Sequence, residues 1–532
     1  MTFGHPANSG ISIDVNPAKA IAAHARTHGG AVVIRYEGGD LTYAQLNDRA
    51  ARLGHALAEG GVAPGDRVAY LGLNSPAFLI TMLAAFRVGA LFVPVNFRLA
   101  GPELQTVLER SGTTTIVCEE GHRDSVDLVR GRIPIKRFLL VDDDPATPTG
   151  TANPPGWERW SQVLSGATPH TERLTTSGFD DPAILMFTSG TTGLPKGVIL
   201  THGNIWWNSV NVDSRIDTRR WDTTYAVAPL FHVGALNSFV VRTMVRGGTI
   251  LIRRTFEPQQ FLDDLIDHQV NSLFAVPSML AALGRLPGAF TADLSALRSI
   301  VVAGAPVPPS LIRQFAEHGI WLQQSWGLTE TAPFATHLPV EHTLQKIGSA
   351  GTAMPHTEVG VVDLATNQPV PAGVPGEVVV RGPNVTPGYW QDSETTRKAF
   401  DRDGWFHSGD IGYLDGDGCL FIVDRLKDMI ITGGENVYPA EIERALAGMS
   451  GLNDIAVVGT ADDEWGETVV AVVSVLPGAT VTLEDLRSHG AEKLARYKLP
   501  RRLTVVDQVP RNASGKLDKL AVRKMLHEGA SE

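Results

Sequence analysis

Apolar segments of helical and strand period alternate along most of this chain, and that alternation restricts it to a narrow set of folds. Thr42 opens a helix with a capping-box pattern, because Gln45 stands three residues on. Leu46, Ala50, Leu53 and Leu57 recur at helical spacing, and Gly60-Gly61 closes the run. RVAYLGL follows as a short apolar strand, then another helix, then ALFVPV as a strand. The unit returns as FLDDLIDHQV before SLFAV and as LIRQFAEHG before IWLQQS. Such repetition predicts an α/β architecture with largely parallel sheets. The stretch DDDPATPTGTANPPG, at 142–156, is polar and rich in Pro, Gly and Thr, which predicts a surface loop.

After about residue 350 the texture changes. VPGEVVVRG, CLFIVDR and DMIITGG are short strands set between Gly, Pro and Asp turns, a small β-rich region. A compact α+β tail follows: a helix from Pro439, the strands DIAVVG and TVVAVVSVL, and a helix over 483–495. The expected division is therefore a large domain over 1–424, built of layered α/β subdomains plus the β-rich subdomain, and a small α+β domain over 425–532.

Bulk properties narrow the function. The 532 residues are 43% hydrophobic, enough for roughly three or four domain-sized units. Forty-six basic against 57 acidic residues leave a formal charge of −11, which argues against a general binder of nucleic acid or anionic membranes. Cys118 and Cys419 lie far apart with no CxxC spacing, so a disulfide framework or zinc site is not expected and a reducing cytoplasm is. MTFGHPANSG lacks the basic-then-apolar order of a signal peptide. The most apolar stretch, Phe78 to Val95, is interrupted by Arg87, Gly89 and Pro94 and falls short of the roughly 20 clean residues a spanning helix needs. It reads as a buried helix leading into a strand, and no integral membrane segment is expected.

Residues 187–197 read FTSGTTGLPKG. Thr188 to Gly197 hold four small hydroxylated residues, three glycines, one proline and one lysine. Glycines let backbone N–H groups approach phosphate oxygens, hydroxyls add donors, and Lys196 adds positive charge. The spacing is not that of a Walker A loop. As composition, the segment is also compatible with a solvent turn. TSGTTGLPKG closely resembles the signature of the adenylate-forming superfamily, which includes acyl-CoA synthetases, peptide-synthetase adenylation domains and firefly-type luciferases. In the family's order there follow PLFHVGA (229–235), VAGAP (302–306), SWGLTET (325–331), GWFHSGDIG (404–412), DRLKDMIITGGENVYPAEIE (424–443) and PRNASGKLDK (510–519). The resemblance runs from about Thr42 to Lys519.

The resemblance implies a two-step reaction: a carboxylate attacks the α-phosphate of ATP and releases pyrophosphate, then the thiol of coenzyme A attacks the acyl-adenylate and expels AMP. It implies ATP, Mg²⁺ and CoA as cofactors and a small carboxylic acid as substrate. Thr188, Ser189, Gly190, Thr191, Thr192 and Lys196 are expected on the β- and γ-phosphates. Glu330, with Thr329 beside it and Thr188, is expected at the magnesium ion, a hard cation that takes oxygen ligands. Gly304, Ala305 and Pro306 are expected beside adenine, with Trp326 and Gly327 facing it; tyrosine is commoner where Trp326 stands. Asp410 and Arg425 match the pair that reaches the ribose. Lys516 matches the lysine that stabilises charge between carboxylate and α-phosphate. Lys427 occupies the hinge about which a mobile C-terminal domain rotates, presenting Lys516 for the first step and Gly433, Gly434, Glu435 and Asn436 to the CoA channel for the second. His232 matches the position where acyl group and pantetheine meet.

The acid is less legible. By motif position the acyl pocket candidates are Trp207, His232, Val233, Asn237, Pro277, Ser278, Ala303, Trp326, Gly327 and Ala332. Small Ala303, Gly304 and Gly327 leave room for a chain or ring, and Trp206-Trp207 is an alternative cap. No charged anchor stands among them, and no aspartate follows PLFHVGALNSF for an α-amino group. An apolar acid, fatty or aryl, is therefore expected over an amino acid. Other readings stay open: a carrier protein in place of free CoA, another nucleophile or acid (luciferase-like oxidation, or nitrite activation for arylamine diazotisation), a nucleotide-binding scaffold without activity, and a homodimer.

Overall fold

The computed structural model describes residues 13–37, 39–146, 154–169, 174–188, 195–432, 435–462, 466–491, 493–512 and 515–528. Two compact units divide the chain by contacts: Met1–Val359 with Val380–Phe406, and Gly360–Val379 with His407–Glu532.

The first unit is built on two sheets. The larger orders its strands 352–353, 334–337, 322–327, 299–302, 272–275, 223–226, 249–252, 32–35 and 41–42. From Leu322–Gly327 to Val32–Arg35 every pairing is parallel, and the edge pairings are antiparallel. The other sheet orders 158–159, 137–141, 115–119, 67–71, 91–95, 182–188 and 196–201, parallel except for the last pair. This is the α/β arrangement that the alternating pattern requires, since parallel neighbours need a crossover that returns the chain to the same edge.

Local signals explain the helices. In Tyr43–Glu59, Thr42 Oγ1 accepts from Gln45 N at 3.3 Å and Gln45 Oε1 accepts from Thr42 N at 2.8 Å, the reciprocal cap read from the sequence. The apolar stretch from Phe78 forms the helix Pro76–Val88, buried nearly all round, then Gly89 at φ 74° and the strand Leu91–Val95. Arg87 is buried within that helix; its guanidinium donates to Asn47 Oδ1 at 3.1 Å, and burial lowers its pKa to about 10. Among the described residues no helix is long and apolar enough to cross a membrane. Of the loop expected over 142–156, residues 147–153 lie outside the described residues.

The second unit carries most of the small β-rich region and all of the α+β tail. One sheet orders 358–362, 376–381, 406–414 and 420–425; another orders 435–437, 430–432, 466–475 and 452–462, with 502–505 pairing parallel to 466–475. Helices Pro439–Leu446 and Leu483–Ala491 pack with the apolar face formed by Ile455, Val457, Val469, Ala471 and Val473. Helix Lys519–Glu528 contributes Val522 and Met525 to the opposite face with Ala456, Val458, Val470 and Val472. A long antiparallel hairpin buried on both faces accounts for its nearly continuous valines.

Candidate active site

In the first unit, the candidate residues collect where parallel strands end. In open α/β sheets such carboxyl ends frame the ligand crevice. Strand Ser299–Val302 ends into Ala303, Gly304, Ala305 and Pro306, of which the last three are exposed and Gly304 has φ 86°. Strand Leu322–Gly327 ends in Trp326, which is buried, and Gly327. A Cβ on Gly327 would stand 1.8 Å from the carbonyl oxygen of Pro333, so only glycine leaves the strand here. The next residues, Thr329–Thr331, form a single 3₁₀ turn. Thr331 Oγ1 accepts from Leu328 N at 2.8 Å and donates to Pro333 O at 2.5 Å, locking the turn that carries Thr329 and Glu330.

The strand Pro182–Thr188 and the strand Lys196–Thr201 pair antiparallel, with Thr188 opposite Lys196. The glycine-rich segment is thus the connection of a hairpin whose two ends carry a hydroxyl and an ammonium. Ser189, Gly190, Thr191 and Thr192 lie outside the described residues. Lys196 Nζ sits 5.4 Å from the ring centroid of Tyr389, and Tyr389 Oη donates to Glu330 Oε1 at 2.9 Å. A hydroxyl, an ammonium and a carboxylate grouped in this way suit a polyphosphate with its counter-cation.

Beyond Pro229, His232 is half-buried with its ring 4.3 Å from that of Phe231, and Val233 opens a helical stretch. Leu236–Val240 is a π-turn within that stretch, a geometry that recurs at functional sites. Asn237 lies in it, buried, and neither atom of its side-chain amide has a hydrogen-bond partner among the described residues. Ala332 is fully buried and Ala303 nearly so. Pro277 is buried at the start of helix Pro277–Leu283, whereas Ser278 is exposed. The ring contacts of Trp207 are Phe179 at 6.2 Å and His356 at 5.0 Å, and Trp206 is partly exposed beside Phe179.

Several polar residues that the sequence reading passed over hold these pieces together. Asn204, Asn208 and Asn211 recur on one buried face of the helix His202–Arg215. Asn204 Nδ2 donates to the carbonyls of Pro383 and Val385, each at 2.9 Å. Asn208 Nδ2 donates to the carbonyl of Asn237 at 2.8 Å. Asn211 Oδ1 accepts from His356 N at 2.9 Å. Asn384, fully buried, donates to the carbonyls of Thr331 and Phe334 at 2.9 Å.

The second unit presents its own group. Asp410 and Arg425 face each other across the antiparallel pair 406–414 and 420–425, with Nε 2.5 Å from the carboxylate. Asp410 is buried while Arg425 keeps 46% of its side chain exposed. Glu377, also missed from sequence, shapes the turn before Asp410: it accepts from His407 Nδ1 at 2.8 Å and from Gly409 N at 3.0 Å. Gly409 has φ 69° there. Asp424, buried, accepts from Arg425 N at 2.7 Å and from Ala440 N at 2.6 Å, tying the strand end to the first turn of Pro439–Leu446. Lys427 is exposed in the 3₁₀ turn Leu426–Asp428.

Lys516 stands on a tight turn. Asn512 N donates to Lys516 O at 2.8 Å, Lys516 N donates to Asn512 Oδ1 at 3.1 Å, and Gly515 has φ 79°. The Lys516 ammonium is held below the ordinary lysine range, first by surrounding protein, then by the Arg425 cation, with Asp410 opposing. The residue keeps open surface, so solvent screens part of that effect. Gly433 and Gly434 lie outside the described residues, as do the side chains of Glu435 and Asn436, whose backbone forms the strand Glu435–Val437.

Residues 21–390 match the AMP-binding enzyme family, and residues 441–516 match the AMP-binding enzyme C-terminal domain. The chain belongs to the AMP-binding enzyme family. Feruloyl-CoA synthase of Amycolatopsis sp is 41% identical over 498 residues, covering 93% of this chain and 96% of its own. Indoleacetate–CoA ligase of Aromatoleum aromaticum is 37% identical over 506 residues, covering 95% and 97%. Among solved structures, a Mycobacterium tuberculosis fatty acyl CoA synthetase is 34% identical, covers 97% of this chain and 99% of its own, and superposes with a TM-score of 0.76. The fold described above is shared with that solved structure over nearly the whole chain.

Proposed function

We propose that the chain is an ATP-dependent carboxylic acid:CoA ligase, AMP-forming, that activates an aryl or arylpropenoic acid through its acyl-adenylate. The observation that carries the reaction class is the grouping of Thr188, Lys196 and Glu330 through Tyr389, in the unit whose strand Ser299–Val302 runs into exposed Gly304, Ala305 and Pro306. The aryl assignment rests on the feruloyl and indoleacetate relatives, together with acyl-pocket candidates that include the buried amide of Asn237 and no carboxylate, lysine or arginine.

In the first step a carboxylate oxygen bonds to the α-phosphorus and the bond to pyrophosphate breaks. Positioning and charge neutralisation carry such a transfer. Lys196 and the backbone of its loop hold the outer phosphates, Asp410 and Arg425 hold the ribose, and Lys516 neutralises charge on the α-phosphate and attacking carboxylate. Glu330 and Thr188 are the residues that would hold magnesium, which supplies charge neutralisation on the phosphates when bound. One carboxylate plus nucleotide oxygens suits that ion, and no cluster of three or more His, Cys, Asp or Glu able to hold a metal occurs among the described residues. In the second step the CoA sulfur bonds to the acyl carbon and AMP leaves, His232 lining the junction. Rotation about Lys427 exchanges Lys516 for the 433–436 segment between the steps. The cytoplasm supplies ATP and CoA, and the two cysteines are buried and form no disulfide, as a reducing compartment allows.

Competition at equal concentration among cinnamic, arylacetic, benzoic and fatty acids, with thioesters read by mass spectrometry, tests the acid. Predominant arylpropenoyl-, arylacetyl- or benzoyl-CoA supports the assignment; predominant fatty acyl-CoA overturns it and keeps the ligase.

A further inference from the structure

Tyr389 lies between the two arms of the nucleotide site and touches both. Its hydroxyl donates to Glu330 Oε1 at 2.9 Å, and its ring lies 5.4 Å from Lys196 Nζ. Its backbone is fixed to the strand that leaves the glycine-rich loop: Tyr389 bridges Val198, Ile199 N donates to Gly388 O at 3.1 Å, and Trp390 N donates to Gly197 O at 2.8 Å. The same segment grips the Glu330 turn, because Thr386 N donates to Glu330 O at 2.7 Å while Thr386 Oγ1 donates to Ile199 O at 2.6 Å. Gly388 leaves no room for a side chain, whose Cβ would meet Thr396 Cγ2 at 2.5 Å, so the segment's path is closely set.

We propose that Tyr389 is a positioning residue that holds the cation arm and the phosphate arm of the site as one unit, orienting the Glu330 carboxylate with its hydroxyl and seating the Lys196 ammonium on its ring. The inference rests on the reading of Glu330 and Lys196 given under the proposed function. A carboxylate whose one oxygen is fixed by a neutral donor directs its remaining lone pairs along a set line toward a hard cation, and losing such outer partners typically costs about 10–100-fold in metal affinity or activity. A ring under an ammonium attracts it without neutralising it, leaving the full charge for phosphate. A tyrosine that only filled space would need no hydroxyl, and phenylalanine would replace it without effect.

The test titrates Mn²⁺ by electron paramagnetic resonance in the presence of α,β-methylene-ATP, for wild type, Tyr389→Phe and Glu330→Gln, with thermal melting alongside. The expected result is a Tyr389→Phe protein that melts close to wild type, binds Mn²⁺ about 10–100-fold more weakly, and loses kcat with the KM for the acid unchanged. Wild-type Mn²⁺ affinity in Tyr389→Phe, with loss in Glu330→Gln, would overturn the positioning role alone. Wild-type affinity in both would overturn the Glu330 reading beneath it. Titrating the nucleotide analogue without divalent cation reads the other arm: Tyr389→Leu weakens binding and Tyr389→Phe does not. Equal affinity in all three proteins would remove the Lys196 half.

Discussion

Arg425 Nε stands 2.5 Å from the Asp410 carboxylate across an antiparallel strand pair. The pair is one-sided, since Asp410 is buried and Arg425 is half open to solvent. A buried carboxylate that faces a movable guanidinium can exchange one donor for the hydroxyls of a ribose at little cost in desolvation. We predict that Asp410→Asn lowers kcat/KM for ATP by roughly 10–100-fold, the worth of charge-assisted hydrogen bonds. The same variant should narrow the preference for ATP over 2′-deoxy-ATP. An unchanged preference would show that Asp410 does not read the ribose.

Lys516→Ala should abolish adenylation while ATP binding and thioester formation from a supplied acyl-adenylate persist. Isothermal titration with ATP and a half-reaction assay separate the three. If pyrophosphate release survives in the variant, another group neutralises the α-phosphate.

The lowered pKa of Lys516 has a signed consequence. The protonated ammonium is the useful form, so adenylation is full below the folded-state pKa and falls as pH rises through it. The alkaline limb of the first half-reaction should therefore begin earlier than the usual lysine value of 10.5 would give. Substituting Arg425 by Gln removes the cation that contributes to the lowering and should move that limb upward. A limb that stays in place would assign it to another group.

Gly327→Ala should destabilise the first unit, because its Cβ would stand 1.8 Å from the Pro333 carbonyl and the turn carrying Glu330 must shift. Overpacking of this kind costs about 1–3 kcal/mol. Asn208→Ala should cost a similar amount, about 1–3 kcal/mol, by stranding the buried carbonyl of Asn237. Denaturant unfolding checks both, and a wild-type midpoint in either would refute the packing described.

The elements visible in the sequence are those whose cause is local. Thr42 and Gln45 cap a helix by themselves, and Gly89 ends one, so periodicity and caps locate Tyr43–Glu59 and Pro76–Val88. The motif residues Glu330, Asp410 and Lys516 were legible through resemblance, because each stands in a short local pattern that matches the family's. What escaped depends on distant partners. Asn204, Asn208 and Asn211 have the spacing of a polar outer face, yet they are buried because carbonyls of the π-turn and the 383–385 segment need donors. Glu377 and Tyr389 look like a strand glutamate and a loop aromatic until the fold brings His407 and Glu330 against them. Only tertiary structure distinguishes such residues from solvated ones.

The most direct test of the ligase is pyrophosphate and AMP release across aryl, fatty and amino acids and nitrite, each assayed with and without free CoA. The account predicts AMP formation with an aryl acid that rises strongly when CoA is added, with the aryl-CoA thioester seen by mass. Pyrophosphate release indifferent to CoA, with no thioester, would contradict it and move the acceptor to a carrier protein or another nucleophile.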